Sequence, residues 1–391
     1  MTAATPSQRA PDVPIPSISS PSLAANPSVS LVTDVAGARA MAPTWKALAR
    51  DCDGLAFQGP DWCLAWLEAM EAAGAREDVR ILAVHRAERL VALWPLAVRR
   101  LGPMRLAHSL GEPLTQYSGI LIDRDEPVAQ ALAAVRQEIL TWGDVAALEL
   151  RRVRADSPLL QLPGLDAGSG SRADGAPFVR IGAPEAQRSG RTRNSLKRRV
   201  KQLEKSGPVR FERLQTAEAQ VQAVRDALGL KLDWVAERGL ASVGLTHPAA
   251  RACLLNLAER GKLFILRLSV GERLAALEIG LLAAGRYYSF LQSYAPDFAR
   301  NGPGRLIFWH LVEHGAELGI DILDFLPPAY EHKLEWASAT TDVHDYILPV
   351  SSSGTLASLY LGRIKPGLKQ GFERLPAGVR RQMAKYVAPL A

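Results

Sequence analysis

One order of patterns occurs twice in this chain and constrains its fold more than any other feature. Helical periodicity comes first and antiparallel apolar runs come second, on both sides of a segment near residue 170 where Gly, Asp and Ser crowd together. Val29 to Val35 has strand character, and Ala38 to Asp51 helical character with Pro43 early in it. Phe57 to Ala73 places Trp62, Trp66 and Met70 on one apolar stripe, which is a core signature. Val79 to Arg86 and Leu90 to Arg99, joined by Ala87, Glu88 and Arg89, predict a hairpin. Gly119 to Ile122 adds a short strand, Val128 to Thr141 a helix and Ala146 to Val153 a strand. Beyond the Gly-rich segment, Ser195 to Ser206, Ala217 to Glu237 and His247 to Arg260 have helical period. Leu263 to Val270, Arg273 to Ala283 and Arg286 to Tyr294 form a three-strand meander. Gly304 to Leu318 is a helix, and Ile322 to Phe325 and Asp345 to Val350 are closing strands. Two mixed α/β halves follow from this weak repeat of pattern.

A length of 391 residues agrees, since single cores stop growing well below it. The expected division is a disordered Pro-, Ser- and Ala-rich tail over 1–28, a first half over 29–163, a linker over 164–176 and a second half over 177–391. At 48% hydrophobic and 22% charged, with apolar runs repeatedly broken by Arg, Glu or Gly, the composition is that of an ordinary globular protein. No run approaches a membrane span and no signal-peptide core stands in the tail. Cys52, Cys63 and Cys253 are odd in number and widely spaced, which speaks against a disulfide framework or a thiolate zinc site and suits the cytoplasm. The formal net charge of +7 gives a class of partner, anionic, but no fold.

Chemistry concentrates between Tyr294 and Trp309. There an aromatic strand runs into Asp297-Phe298-Ala299-Arg300-Asn301-Gly302-Pro303-Gly304-Arg305 and then into an amphipathic helix. A strand, a Gly-rich turn and a helix start make an anion site, because the first N–H groups of a helix lack partners and its dipole favours negative charge. Arg300 and Arg305 can add charge-assisted bonds to a pyrophosphate there. A tight turn ending the strand accounts for the same residues. Upstream, Arg188 to Lys205 carries eight basic residues (Arg188, Arg191, Arg193, Lys197, Arg198, Arg199, Lys201 and Lys205) against Glu204 alone. Leu196, Val200 and Leu203 keep an apolar face, so Lys197, Lys201 and Lys205 project together on another. So lopsided a run favours an anionic partner: coenzyme phosphates, a tRNA acceptor stem, a phosphorylated sugar or acidic lipid. Arg363 to Lys385 is basic too, with Leu, Phe and Val residues spaced for a surface-binding helix.

The stretch around Arg300 to Gly304 resembles the coenzyme A loop of GNAT acetyltransferases, with its glycines one position earlier than in the family pattern. Gly319-Ile320-Asp321-Ile322-Leu323-Asp324-Phe325 and Tyr330-Glu331-His332-Lys333-Leu334-Glu335-Trp336 resemble the ending of the branch holding the CelD/BcsL-type acetyltransferases. That branch is associated with bacterial cellulose biosynthesis and related to the FemAB aminoacyl transferases. Arg191 to Arg199 resembles the basic helix that opens the second half of such proteins. The resemblance implies tandem GNAT-like α/β domains, with mixed central sheets flanked by helices and a working cleft where the second half's loop meets the first half. It implies residues 30–163 as scaffold, acetyl-CoA or another acyl-CoA as donor without a metal, and an amine or hydroxyl acceptor, free or glycan-linked.

Arg300, Asn301, Gly302, Gly304 and Arg305 would then bind the donor, and Arg193, Lys197 and Tyr330 the acceptor. Such an enzyme positions the acceptor beside the thioester and lets a carboxylate take its proton. Glu278, on the middle strand of the meander, and Asp324, at a strand end, are the candidate carboxylates, each with a structural ion-pair role as the competing account. Lys333 and Tyr294 are the candidate proton donors. A FemAB-like transferase would use aminoacyl-tRNA instead, and a non-catalytic relative would dock on a polysaccharide synthase complex or an acidic inner-membrane surface. His310-Leu311-Val312-Glu313-His314 also matches the His-x-x-Glu-His pattern of inverted zinc peptidases, although no Glu-rich helix follows to supply a third ligand.

Overall fold

The computed structural model describes residues 26–52, 55–237 and 247–361. The first half opens with β1 (Ser28–Val32), α1 (Val35–Ala40), α2 (Ala42–Asp51) and α3 (Pro60–Ala72). Pro43 begins a second helix instead of sitting within one, because a proline is tolerated in the first turn, where its missing N–H costs nothing. Asp34 caps α1, accepting from Gly37 N–H at 2.6 Å. Next come β2 (Asp78–Arg86), β3 (Arg89–Leu101), β4 (Met104–Ser109), β5 (Leu121–Ile122), α4 (Val128–Leu140) and β6 (Ala147–Arg154). Strand β7 (Ser171–Arg180) then leads to α5 (Gly190–Glu204), β8 (Val209–Leu214), α6 (Ala217–Glu237) and α7 (Pro248–Glu259). The second meander is β9 (Phe264–Val270), β10 (Arg273–Ala283) and β11 (Arg286–Tyr294). It is followed by α8 (Pro303–His314), β12 (Ile322–Asp324), α9 (Glu331–Leu334), β13 (Ala339–Pro349) and α10 (Ser352–Leu359).

The two halves do not keep separate sheets. One mixed sheet runs in the order β1-β2-β3-β4-β6-β13-β7-β12-β11-β10-β9-β8, with β5 attached to β3. Within each half a parallel pair, β4 with β6 and β11 with β12, ends the meander. Beyond that pair the halves trade strands. β7 lies antiparallel to β12, β13 lies antiparallel to β6, and β7 and β13 pair with each other at the centre. Part of the expected 164–176 linker is therefore strand, since Ser171–Gly175 pairs with Asp342–Asp345 of β13. Sequence reasoning also passed over β4 and β8, whose polar residues and short length hide their period. The expected tail (up to residue 25) and the basic segment Arg363 to Lys385 lie outside the described residues.

Helices cover both faces, and one core crosses the halves. Trp62, Trp66 and Leu67 of α3 share a cluster with Ala250, Cys253, Leu254 and Leu257 of α7. Around that seam Asn256 donates to Ala65 O at 3.2 Å, Arg260 pairs with Glu68, and Lys262 pairs with Asp61 at 3.2 Å. Among the described residues no helix is long and apolar enough to cross a membrane.

Exchanged strands and a shared core make unfolding of one half expose the other. We expect a single urea transition in which tryptophan fluorescence and far-ultraviolet circular dichroism coincide. The comparison uses variants that keep only the tryptophans of the first half (45, 62, 66, 94, 142) or only those of the second (234, 309, 336). Separate midpoints for the two would show that the halves fold independently.

Candidate active site

Strand β11 carries the decisive irregularity. It pairs in register with β10 until Ile279↔Leu291, and then Gly280 pairs with Ser289, so Phe290 is an extra residue on β11. A bulge re-aims the side chains beyond it. Without it Ser289 and Gln292 would point to opposite faces; with it they share a face with Tyr287 and converge on one group, Glu278 of β10. Ser289 Oγ donates to Glu278 Oε1 at 2.5 Å, Tyr287 Oη to the same oxygen at 3.3 Å, and Gln292 Nε2 to Oε2 at 2.9 Å. Glu278 is 0% exposed, and burial pushes its carboxyl up to about 7 against the opposing pull of those three donors.

In front of this carboxylate opens a cleft of about 520 Å³. Ser289, Gln292 and Tyr294 of β11 form its floor, Leu230, Lys231 and Trp234 of α6 one wall, Gly302 to Arg305 and Phe308 another, and Tyr330, His332 and Lys333 its rim. Lys333 Nζ donates to Leu326 O at 2.9 Å, and burial lowers its pKa to about 8 despite the nearby carboxylates of Glu278, Asp324 and Asp174. Tyr330 is 56% exposed, with the Lys333 ammonium 5.5 Å from its ring centre. Among the described residues the cleft wall comes entirely from the second half, in place of the expected position between the two halves. The first half lies behind the floor, where Phe57 and Trp62 pack on Phe290.

The Gly-rich turn narrows as an anion site. Gly302 takes the left-handed conformation, φ 60° and ψ 56°, which a residue without Cβ adopts at little cost. Pro303 follows at the start of α8 and has no N–H, while Arg305 N–H returns to Gly302 O at 3.0 Å. Gly304 N–H is what remains for a ligand at those first positions. A side chain at Gly304 would begin 2.4 Å from the Gln292 amide oxygen, so the turn and the Glu278 network are packed against each other. Arg305 lines the cleft and pairs with Glu335 at 3.1 Å. Helix α5 lies alongside, capped by Ser189, and its Arg199 donates to Arg300 O at 3.4 Å. Arg191, Arg193, Lys197, Arg198 and Lys201 are exposed and make no ion pair among the described residues.

Residues 190–334 match the family model described as an acetyltransferase (GNAT) domain. The chain has the fold of known structures across most of its length. It is similar to FemX at 13% identity and TM-score 0.54, covering 78% of this chain and 96% of that one. A conserved protein of unknown function from Bacteroides thetaiotaomicron matches at 12% identity and TM-score 0.53, covering 82% and 99%. The C-terminal domain of a protein from Agrobacterium fabrum assigned as lysylphosphatidylglycerol synthetase matches at 12% and 0.51, covering 84% and 98%. No curated protein matches in sequence.

Within this GNAT fold the sequence candidates separate. Gly302, Gly304, Arg305, Tyr294, Tyr330 and Lys333 line the cleft, and Glu278 lies behind it. Arg300 and Asn301 belong to the short 3₁₀ turn before Gly302 and are not on the cleft wall, and Arg193 and Lys197 lie on the outer face of α5. Asp324 is 0% exposed and fully engaged. Tyr117 Oη and Leu326 N–H donate to Oδ1, both at 2.9 Å, and Arg154 and Arg286 reach Oδ2 at 3.2 and 3.0 Å. Tyr117 and Arg154 come from the first half, so Asp324 ties the halves together. His310 stacks on Phe211 with ring centres 4.3 Å apart, and His314 turns to Glu317 at 3.3 Å. Among the described residues no three His, Cys, Asp or Glu side chains are placed together to hold a metal ion. Ser289, Gln292, Lys231 and Trp234 were missed, and only the bulge could have pointed to the first two.

Replacing Asp324 by Asn keeps its size and removes the charge that the guanidinium groups of buried Arg154 and half-buried Arg286 share. The expected loss is about 3–5 kcal/mol of unfolding free energy, measured by urea denaturation. A loss under about 1 kcal/mol, the value of an exposed pair, would show that the four-partner knot does not hold the halves.

Proposed function

We propose that the chain is an acyltransferase, carrying an acyl group from a coenzyme A thioester to an amine or hydroxyl acceptor of exopolysaccharide or cell-envelope synthesis. The observation that carries this is a buried carboxylate with a pKa near neutrality, set directly behind a cleft whose other wall is a Gly-rich helix start. A base works best when its pKa lies near the operating pH, and Glu278 meets that condition. Gly304 N–H and Arg305 would receive the donor's pyrophosphate. Lys333, on the rim, would give its proton to the departing thiolate, with Tyr294 and Tyr330 framing the acceptor. The 319–325 and 330–336 motifs, similar to those of the CelD/BcsL branch, favour a glycan acceptor. A fold shared with the domain of a protein assigned as a lysylphosphatidylglycerol synthetase fits the cell envelope as well. The enzyme would work in the cytoplasm or peripherally at the inner membrane.

A second donor is favoured by two features of the same region. Pro303 removes an N–H where a pyrophosphate would need it, and α5 presents five exposed cations beside the turn. A FemAB-like enzyme taking aminoacyl-tRNA would use the same base and acceptor cleft and hold its polyanionic donor on α5.

Calorimetric titration with acetyl-CoA separates the two. We expect saturable binding that Gly304→Trp abolishes by filling the turn. No binding in the wild type, together with tRNA binding that weakens steeply with salt, would assign the aminoacyl donor. Binding of neither would leave a docking role on a polysaccharide synthase complex.

The acid–base assignment predicts a bell-shaped pH profile. Glu278 must be ionised to accept a proton, so kcat/KM rises with pH through about 7. Lys333 must be protonated to donate, so kcat/KM falls above about 8. Glu278→Gln removes the lower limb and lowers kcat by about 10²–10⁴-fold. A lower limb that persists in this variant places the base elsewhere.

A further inference from the structure

Glu278 has no surface of its own on the cleft. It is 0% exposed and is absent from the cleft wall, so an acceptor in the cleft cannot touch it. Three side chains stand against it. Tyr287 is itself fully buried and reaches Oε1 only at 3.3 Å. Gln292 lines the cleft, but its amide nitrogen donates to Oε2 and cannot itself accept a proton from the cleft. Ser289 lines the cleft and donates to Oε1 at 2.5 Å, and its hydroxyl is donor and acceptor at once. The extra residue Phe290 is what turns Ser289 to this side of the sheet.

We propose that Ser289 is a catalytic proton shuttle: its hydroxyl accepts the acceptor's proton from the cleft while passing its own proton to Glu278. In the transfer step, which rests on the acyltransferase assignment, the acceptor's nitrogen or oxygen forms a bond to the donor's carbonyl carbon. Its proton moves to Ser289 Oγ as the Ser289 hydroxyl proton moves to Glu278 Oε1. The tetrahedral adduct then collapses, the carbon–sulfur bond breaks with its electron pair on sulfur, and the thiolate takes a proton from Lys333. Glu278 returns its proton through Ser289, and Lys333 regains one from solvent, so Ser289 ends the cycle unchanged. Lys333 is also the charged group whose field most directly opposes the rise in the Glu278 pKa.

The experiment pairs turnover with a readout that needs no donor. Infrared spectroscopy after a pH jump across neutrality follows the carbonyl band of protonated Glu278, identified by its loss in Glu278→Gln. Ser289→Ala should slow appearance of that band at least tenfold, and Ser289→Thr, which keeps the hydroxyl, should restore it. In turnover Ser289→Ala should lower kcat by about 10²-fold with KM for the donor unchanged, again with recovery in Ser289→Thr. An unchanged protonation rate in Ser289→Ala overturns the shuttle whatever the donor is. A slowed rate in a protein that transfers no acyl group supports the shuttle and refutes the acyltransferase assignment.

Discussion

Exchange of β7 and β13 is the constraint on which the rest depends. Strand β12 is three residues long, Ile322–Asp324, and its parallel register with β11 is supported on its other edge by β7. β7 in turn is held by β13, which pairs onward with β6 of the first half. A three-residue strand contributes few ladder bonds, and an open edge there would invite pairing with another chain. By trading their last strands the halves remove two such edges. Asp324 then stands at the point of exchange, where Tyr117 and Arg154 reach it from the other half. Among the described residues the first half has no share in the cleft wall, yet it fixes the strand end from which Leu326 O, the acceptor of the Lys333 ammonium, is presented.

A second coupling runs through Gln292. Its amide bonds Glu278 on one side and approaches Gly304 O at 3.4 Å on the other, while the absence of a Cβ at Gly304 makes room for it. Movement of the helix start on donor binding would therefore reach the carboxylate through one side chain. The glycine at 304 is thus required by the close packing of Gln292, beside the ligand approach that the turn suggested. The sequence could suggest only the second.

Much of the fold was legible because periodicity reports which face is buried. α6, β10 and β11 lie where their patterns put them. What was hidden depends on partners far along the chain. Ser171–Gly175 has the composition of a linker and becomes a strand because β13 supplies its hydrogen bonds. For the site, Gly302 to Arg305, Tyr330 and Lys333 were legible as a turn and a motif. Ser289 was not, since a serine in a strand carries no signal until a bulge decides its face. Arg193 and Lys197 stood out by charge and by the resemblance of their helix, and they lie on the exposed face of α5, off the cleft wall.

Glu278 and Asp324 were indistinguishable in the sequence, and in the structure both are 0% exposed. Their partners separate them. Asp324 is met by two guanidinium groups, which offset the cost of burying its charge. Glu278 is met by a serine, a glutamine and a tyrosine, all neutral, with Lys333 acting from a distance. Neutral donors hold a carboxylate in place without compensating its charge, so burial prevails and the group titrates near neutrality. A buried carboxylate held only by neutral donors can accept a proton and return it at little cost. Glu278 has the neutral surroundings that a base requires, and among the described residues the hydroxyl joining it to the cleft belongs to Ser289.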